Sequence, residues 1–223
     1  MNFKLIVWRR IDPLTKFCII LIYSNVRGAL GGSLRQEPTL LIRFTFPWGI
    51  LVFYFEISDT LAPFMRRAPH PSLDNLTPSE RTFAMWLMGD SDYRNERLKL
   101  IPFVAEGPWV VRKLVTGTPA IIGKKLPVSY RYTPPDPISK KEDILECNLD
   151  IGNSSATAKQ IVSVCRRYMS SLTVDIGFLI EGKEDSDLPE QMLGSIRVHS
   201  ADPVKAPTLD TYGIMSQRER TYT

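Results

Sequence analysis

The segment from Leu145 to Ile180 constrains the fold most, because its hydrophobic period changes twice. Leu145, Cys147, Leu149 and Ile151 alternate with their neighbours, the pattern of a strand with one face buried. Gly152-Asn153-Ser154-Ser155 interrupts it. Ala158, Ile161, Val162, Cys165, Tyr168 and Met169 then fall on one face of a helix. Leu172, Val174, Ile176, Phe178 and Ile180 restore the alternation. A strand, an amphipathic helix and another strand in succession call for a sheet with helices packed on it.

The rest of the chain supplies more strands. Leu40–Phe46 and Ile50–Ile57 flank Pro47-Trp48-Gly49 and read as a hairpin. Ile50–Phe55 lacks alternation, which predicts burial on both faces. Residues 58–76, with Pro63, Pro69 and Pro71, read as a loop. Thr77-Pro78-Ser79-Glu80 is a capping box with proline at the first helical position, and Phe83, Trp86 and Leu87 give that helix its apolar face. Gly89-Asp90-Ser91 ends it. A second short helix is expected from Asp92 to Pro102 and a third from Gly107 to Leu114. Leu126, Val128, Tyr130 and Tyr132 form a hairpin with Leu145–Ile151 across an exposed polar loop, and Met192–Val198 is the last strand. Hairpins with helices in blocks predict an α+β fold, a mostly antiparallel sheet of hairpins packed against several helices. Trp48, Trp86 and Trp109 are expected in the core, with the lining of an apolar ligand cavity as the alternative.

Three regions are expected. Residues 1–36 form a divergent N-terminal extension, a strand or a poorly ordered segment. Arg9, Arg10 and Lys16 before Phe17–Tyr23 imitate a secretory signal, but Asp12 and Pro13 precede a minimal apolar stretch. Residues 37–205 form the domain proper. Residues 206–223 are a polar tail, with 217–223 expected to be disordered.

A net charge of +4 over 223 residues falls far short of a nucleic-acid binder's basic footprint. The three cysteines, Cys18, Cys147 and Cys165, are widely spaced and suggest neither a zinc site nor a disulfide framework. That favours a reducing, cytoplasmic setting. The longest apolar runs fall short of the roughly 20 residues a spanning helix needs. No phosphate-loop, nucleophile-elbow or zinc-protease motif occurs. Of the two histidines, His70 lies in a proline-rich loop and His199 at a strand end. No cofactor, metal or catalytic residue is assigned.

Binding candidates are fewer than structural ones. Gly152, Asn153, Ser154 and Ser155 lead a strand into a helix, where free amides and hydroxyls suit an anion. Simple capping by Asn153 or Ser154 is the competing reading, and Asp150 beside them favours it. Arg66-Arg67, Lys124-Lys125, Lys140-Lys141 and Arg166-Arg167 are basic pairs that suit an anionic membrane surface if they share a face; scattered surface charge is the alternative. Asp175 and Glu181 lie ~20 Å apart along one strand, too far to act as a glycosidase pair.

An ordered set of motifs resembles the C-terminal domain of the Enhanced Disease Resistance 2 family. The strongest is Gly89-Asp90-Ser91-Asp92-Tyr93-Arg94-Asn95-Glu96-Arg97-Leu98-Lys99-Leu100-Ile101-Pro102. Glu106-Gly107-Pro108-Trp109-Val110-Val111, Gly123-Lys124, Leu149–Ser155, Leu172-Thr173-Val174-Asp175, Leu188-Pro189-Glu190 and Leu193-Gly194-Ser195-Ile196-Arg197 follow in order. The fit runs from about Glu37 to Val204. Longer family members carry pleckstrin-homology and START-type lipid-transfer domains, for which this chain has no room, so membrane targeting by those domains is not carried over. The resemblance implies regulation of lipid- or stress-related processes without a known active site. Arg94, from its strongest motif, joins Lys124, Lys125 and Gly152–Ser155 as binding candidates.

The sequence thus predicts a non-enzymatic intracellular binding or regulatory domain contacting lipid or an anionic membrane surface. One alternative is a protein-interaction domain without lipid, which a closed apolar cavity would argue against. Another is an enzyme with an unrecognised site, for which a cleft gathering Asp92, Arg94, Asp150 and Asp175 would argue.

Overall fold

The computed structural model describes residues 5–8, 19–22, 37–47, 49–66, 71–138, 140–190 and 192–201. Trp48, His70, the 206–223 tail and most of the 1–36 extension lie outside them. Two sheets enclose one core. The first is six-stranded, with spatial order β1 (Leu5–Trp8), β2 (Ile19–Ile22), β4 (Gly49–Glu56), β3 (Thr39–Phe46), β8 (Ile144–Asp150) and β7 (Val128–Thr133). The second is four-stranded, with order β10 (Met192–His199), β9 (Thr173–Ile180), β5 (Leu98–Glu106) and β6 (Ala120–Ile121). Every pairing is antiparallel except β3 with β8, which run parallel from Thr39 beside Ile144 to Thr45 beside Asp150.

Register carries the sequence alternation into the core. Tyr130 stands opposite Cys147, Cys147 beside Ile42, and Ile42 opposite Phe53. That row crosses four strands of the first sheet. Phe178 of the second sheet meets Phe44, Phe53 and Phe55, with ring centroids 5.6 to 6.2 Å apart. A Cβ built on Gly194 of β10 would lie 2.2 Å from Phe55, so only glycine lets the sheets approach this closely. In β4, Leu51, Val52, Phe53 and Phe55 are all buried, as the missing alternation predicts.

The helices fill the edges of this frame. Pro78–Met88 (α2) has the full capping box: the Thr77 hydroxyl accepts from the Glu80 amide, and Glu80 accepts from the Thr77 amide. Ala84, Trp86 and Leu87 of α2 join the core. Trp109–Leu114 (α4) and Ala156–Tyr168 (α5) pack beside β5 around Val104, Val111 and Leu172.

Two expectations need correction. The loop at 58–76 contains a helical turn, Ala62–Met65 (α1), whose Ala62, Phe64 and Met65 are buried. One turn is too short to show a period. The helix expected from Asp92 to Pro102 ends at Asn95 (α3, Ser91–Asn95), and β5 begins at Leu98. Leu98, Leu100, Pro102 and Val104 alternate inward there, opposite Ile180, Phe178, Ile176 and Val174. Pro102 is tolerated because the β6 ladder ends at Leu100 and only an isolated bridge, Phe103 to Thr116, follows on that side of β5.

Candidate functional site

The Gly152–Ser155 turn satisfies itself. Asp150 accepts from the Asn153 amide at 3.1 Å and from its side-chain amide at 2.7 Å. The Ser154 hydroxyl donates to the Ile151 carbonyl at 2.8 Å. Ser155, not Asn153 or Ser154, caps α5 by accepting from the Ala158 amide at 3.2 Å. A carboxylate of the chain itself therefore already takes the Asn153 donors of this turn.

Lys124 and Lys125 are exposed, at the end of a 3-10 turn (Ile122–Lys124). A Cβ on Gly123 would lie 2.4 Å from the Asn95 carbonyl oxygen, so glycine is what lets this turn seat against α3. Asp150 donates its amide to Pro127 at 3.0 Å, which brings the lysine pair toward the same end of the first sheet as the Gly152 turn. No hydrogen bond or ion pair joins the two among the described residues.

Arg94 is 5% exposed. Its Nε donates to the Trp86 carbonyl at 3.0 Å and an Nη to the Leu87 carbonyl at 2.5 Å. Trp86 Nε1 donates back to the Arg94 carbonyl at 3.2 Å. The guanidinium also stands 5.7 Å from the Trp86 ring and 5.1 Å from that of Tyr130. A cation at the carbonyl end of α2 completes the last turn and favours the helix dipole. Arg94 thus ties α2 to α3 within the core.

The groups that an enzyme would need are engaged separately. Asp90, not Asp92, caps α3. Asp175 takes a two-pronged contact from Arg197 at 2.6 and 2.7 Å, while Lys99 is shared by Glu181 and Glu190. Thr173 donates to Glu106 at 2.7 Å and lies 2.7 Å from His199 Nδ1, with its hydroxyl buried. Burial pushes the Cys147 and Cys165 thiols up, away from the thiolate form that nucleophilic chemistry uses. Among the described residues no group of three His, Cys, Asp or Glu could hold a metal ion, and no helix is long and apolar enough to cross a membrane.

A cleft of about 240 Å³ opens between the end of β4, the start of α2 and the residues Asp187, Glu190, Met192 and Leu193. Ile57, Leu61 and Ile180 form its floor and Glu56, Glu80, Asp187 and Glu190 its acidic rim. Glu80 serves the capping box, Asp187 accepts from the Lys183 and Glu184 amides, and Glu190 accepts from Lys99 and the Gly182 amide. This cleft is neither closed nor purely apolar.

The opposite end of β9 carries a different surface. Val111 of α4 is buried against Val104 and Leu172, and Val110 packs on the same cluster. Helical spacing of about 100° per residue turns Trp109, Arg112 and Lys113 the other way. Trp109 is 66% exposed, which overturns its expected place in the core. Lys113 Nζ stands 4.9 Å over its ring. Leu114 is 41% exposed, and Phe103, whose backbone bridges to Thr116, is 50% exposed. The last turn of α5, bearing Arg166 and Arg167, packs against the same cluster through Cys165 and Tyr168. Arg112, Lys113 and Arg167 have no ion-pair partner among the described residues. Sequence reading singled out Arg166-Arg167 but missed Arg112-Lys113; the available signal was Val110-Val111 facing inward while Trp109, Arg112 and Lys113 shared the other face.

Comparison with known proteins bears on these features together. The family described as Protein ENHANCED DISEASE RESISTANCE 2, C-terminal, matches residues 16–202. A relative from Arabidopsis thaliana, Protein ENHANCED DISEASE RESISTANCE 2-like, is 35% identical over 131 residues, which is 58% of this chain and 17% of that protein. The match thus spans about a sixth of the relative's length. No solved structure matches.

Proposed function

The chain belongs to the Enhanced Disease Resistance 2 C-terminal family, and on that premise we propose that it is a non-enzymatic binding and regulatory domain that works against an anionic membrane surface. One observation carries the proposal: Arg112, Lys113 and Arg167 are exposed cations on adjoining helices with no carboxylate partner among the described residues. Several other cations are used on the chain itself, as Arg43 with Glu146, Arg66 with Asp143 and Arg197 with Asp175. A cation near an anionic bilayer contributes about 1 kcal/mol, so three give a reversible, peripheral attachment. Such lipids line the cytoplasmic leaflet, which suits a cytoplasmic protein.

Flotation with vesicles of phosphatidylcholine, with and without phosphatidylserine, tests the proposal. Binding is expected only with phosphatidylserine and falls as salt rises, because exposed charges are screened within about 8 Å at physiological ionic strength. The double variant Arg112→Gln, Lys113→Gln should bind more weakly. Absence of binding by the unaltered protein at low salt would remove the membrane reading and leave the protein-interaction one.

A further inference from the structure

Charge alone does not explain α4. A tryptophan that points into water gives up the burial that normally holds the residue in a core. Here Val110 and Val111 fix the helix against Val104 and Leu172, so Trp109 cannot turn inward without unseating them. Lys113 lies over the indole and Arg112 flanks it one turn along. Phe103, half exposed on β5, packs against the Gly117 turn that follows α4: a Cβ on Gly117 would lie 3.3 Å from its ring. An exposed indole between unpaired cations has the make-up of an interfacial anchor. The ring suits the headgroup layer, and the cations suit lipid phosphates.

We infer that α4 is a membrane wedge, in which Trp109 enters the headgroup region of an anionic bilayer while Arg112 and Lys113 hold headgroup phosphates. This rests on the membrane-surface reading above and adds a mode of contact to it. Part of the attachment is then apolar and survives salt that removes the electrostatic part. A protein partner seated on the same face would bury Trp109 without exposing it to acyl chains.

The test is quenching of tryptophan fluorescence by vesicles of phosphatidylcholine and phosphatidylserine with brominated acyl chains. It is read on the unaltered protein, on Trp109→Ala and on the Arg112→Gln, Lys113→Gln double variant, with flotation on the same vesicles. The expected result is quenching in the unaltered protein that Trp109→Ala loses, with vesicle partition lowered about tenfold, the factor that removal of one buried large side chain implies. The bound fraction of the double variant should remain quenched. Trp109→Ala should keep its unfolding midpoint, so loss of binding would not reflect loss of fold. If the protein floats but is not quenched, and Trp109→Ala floats equally well, the wedge is wrong and the surface reading stands. If the unaltered protein does not float at low salt, both fall.

Discussion

Two tryptophans in this domain each sit within 6 Å of a cation, and their surroundings are opposite. Trp86 is 0% exposed, and its partner Arg94 donates to two carbonyls of the last turn of α2. Trp109 stands in solvent beside Lys113, whose ammonium has no carboxylate partner among the described residues. In the first pair the guanidinium and the indole N–H are both engaged on backbone carbonyls of the fold, so the pair stabilises and is enclosed away from a ligand. The second contributes little to the fold and leaves both an apolar face and a charge unsatisfied. The acidic cleft repeats the first case. Its Glu80, Asp187 and Glu190 carboxylates accept hydrogen bonds from their own chain, so charge at a cavity mouth is not by itself a binding function.

Arg94 is where the two pairs should differ most. Arg94→Ala should lower stability by about 3–5 kcal/mol in urea unfolding, because it removes a buried cation and leaves two carbonyls unpaired. Arg94→Lys should rescue little, since an ammonium cannot reproduce the planar fork. A small effect of Arg94→Ala would dissolve the contrast between the two pairs. Ser155→Ala should cost about 1 kcal/mol through loss of the α5 cap, and added phosphate should not change the melting temperature of the unaltered protein. Trp109→Ala should shift stability by no more than about 0.5 kcal/mol, as surface changes do; a larger loss would mean that α4 needs its indole for the fold. The smallest effect concerns pH. The hydrogen bonds from the Thr77 side chain and backbone hold the Glu80 carboxyl below its ordinary value of 4.5. A depressed carboxylate contributes stability above its unfolded pKa and loses it as pH falls through the folded one. Glu80→Gln keeps the capping geometry and should therefore flatten the acid limb of the stability curve below about pH 4.5.

Much of the fold was legible because local signals agreed with it. The capping box, the β3–β4 and β7–β8 hairpins and the helical face of α5 all lie where their periods put them. Strand β5 was not legible as a strand. Its Leu-Lys-Leu-Ile-Pro run carries no turn signal after α3, and pairing with β9, which comes far later in the chain, decides its conformation. The candidate site was read less well, for a related reason. Arg94 and Lys124 share a stretch of motifs, but whether a guanidinium meets solvent or a helix end is settled by packing. Trp109 sits beside two valines, and composition alone favours burying all three. Only the docking of Val111 against Val104 and Leu172 settles which side of a six-residue helix faces out.

Amide hydrogen exchange with and without phosphatidylserine vesicles measures the contrast on which the account turns, because it reports both tryptophan regions in one experiment. The account predicts vesicle-dependent protection across 107–118, which contains α4 and the Gly117 turn, and no change across 84–97, where Trp86 and Arg94 are already enclosed. Protection confined to 84–97, or none in 107–118 while the protein is vesicle-bound, would contradict it.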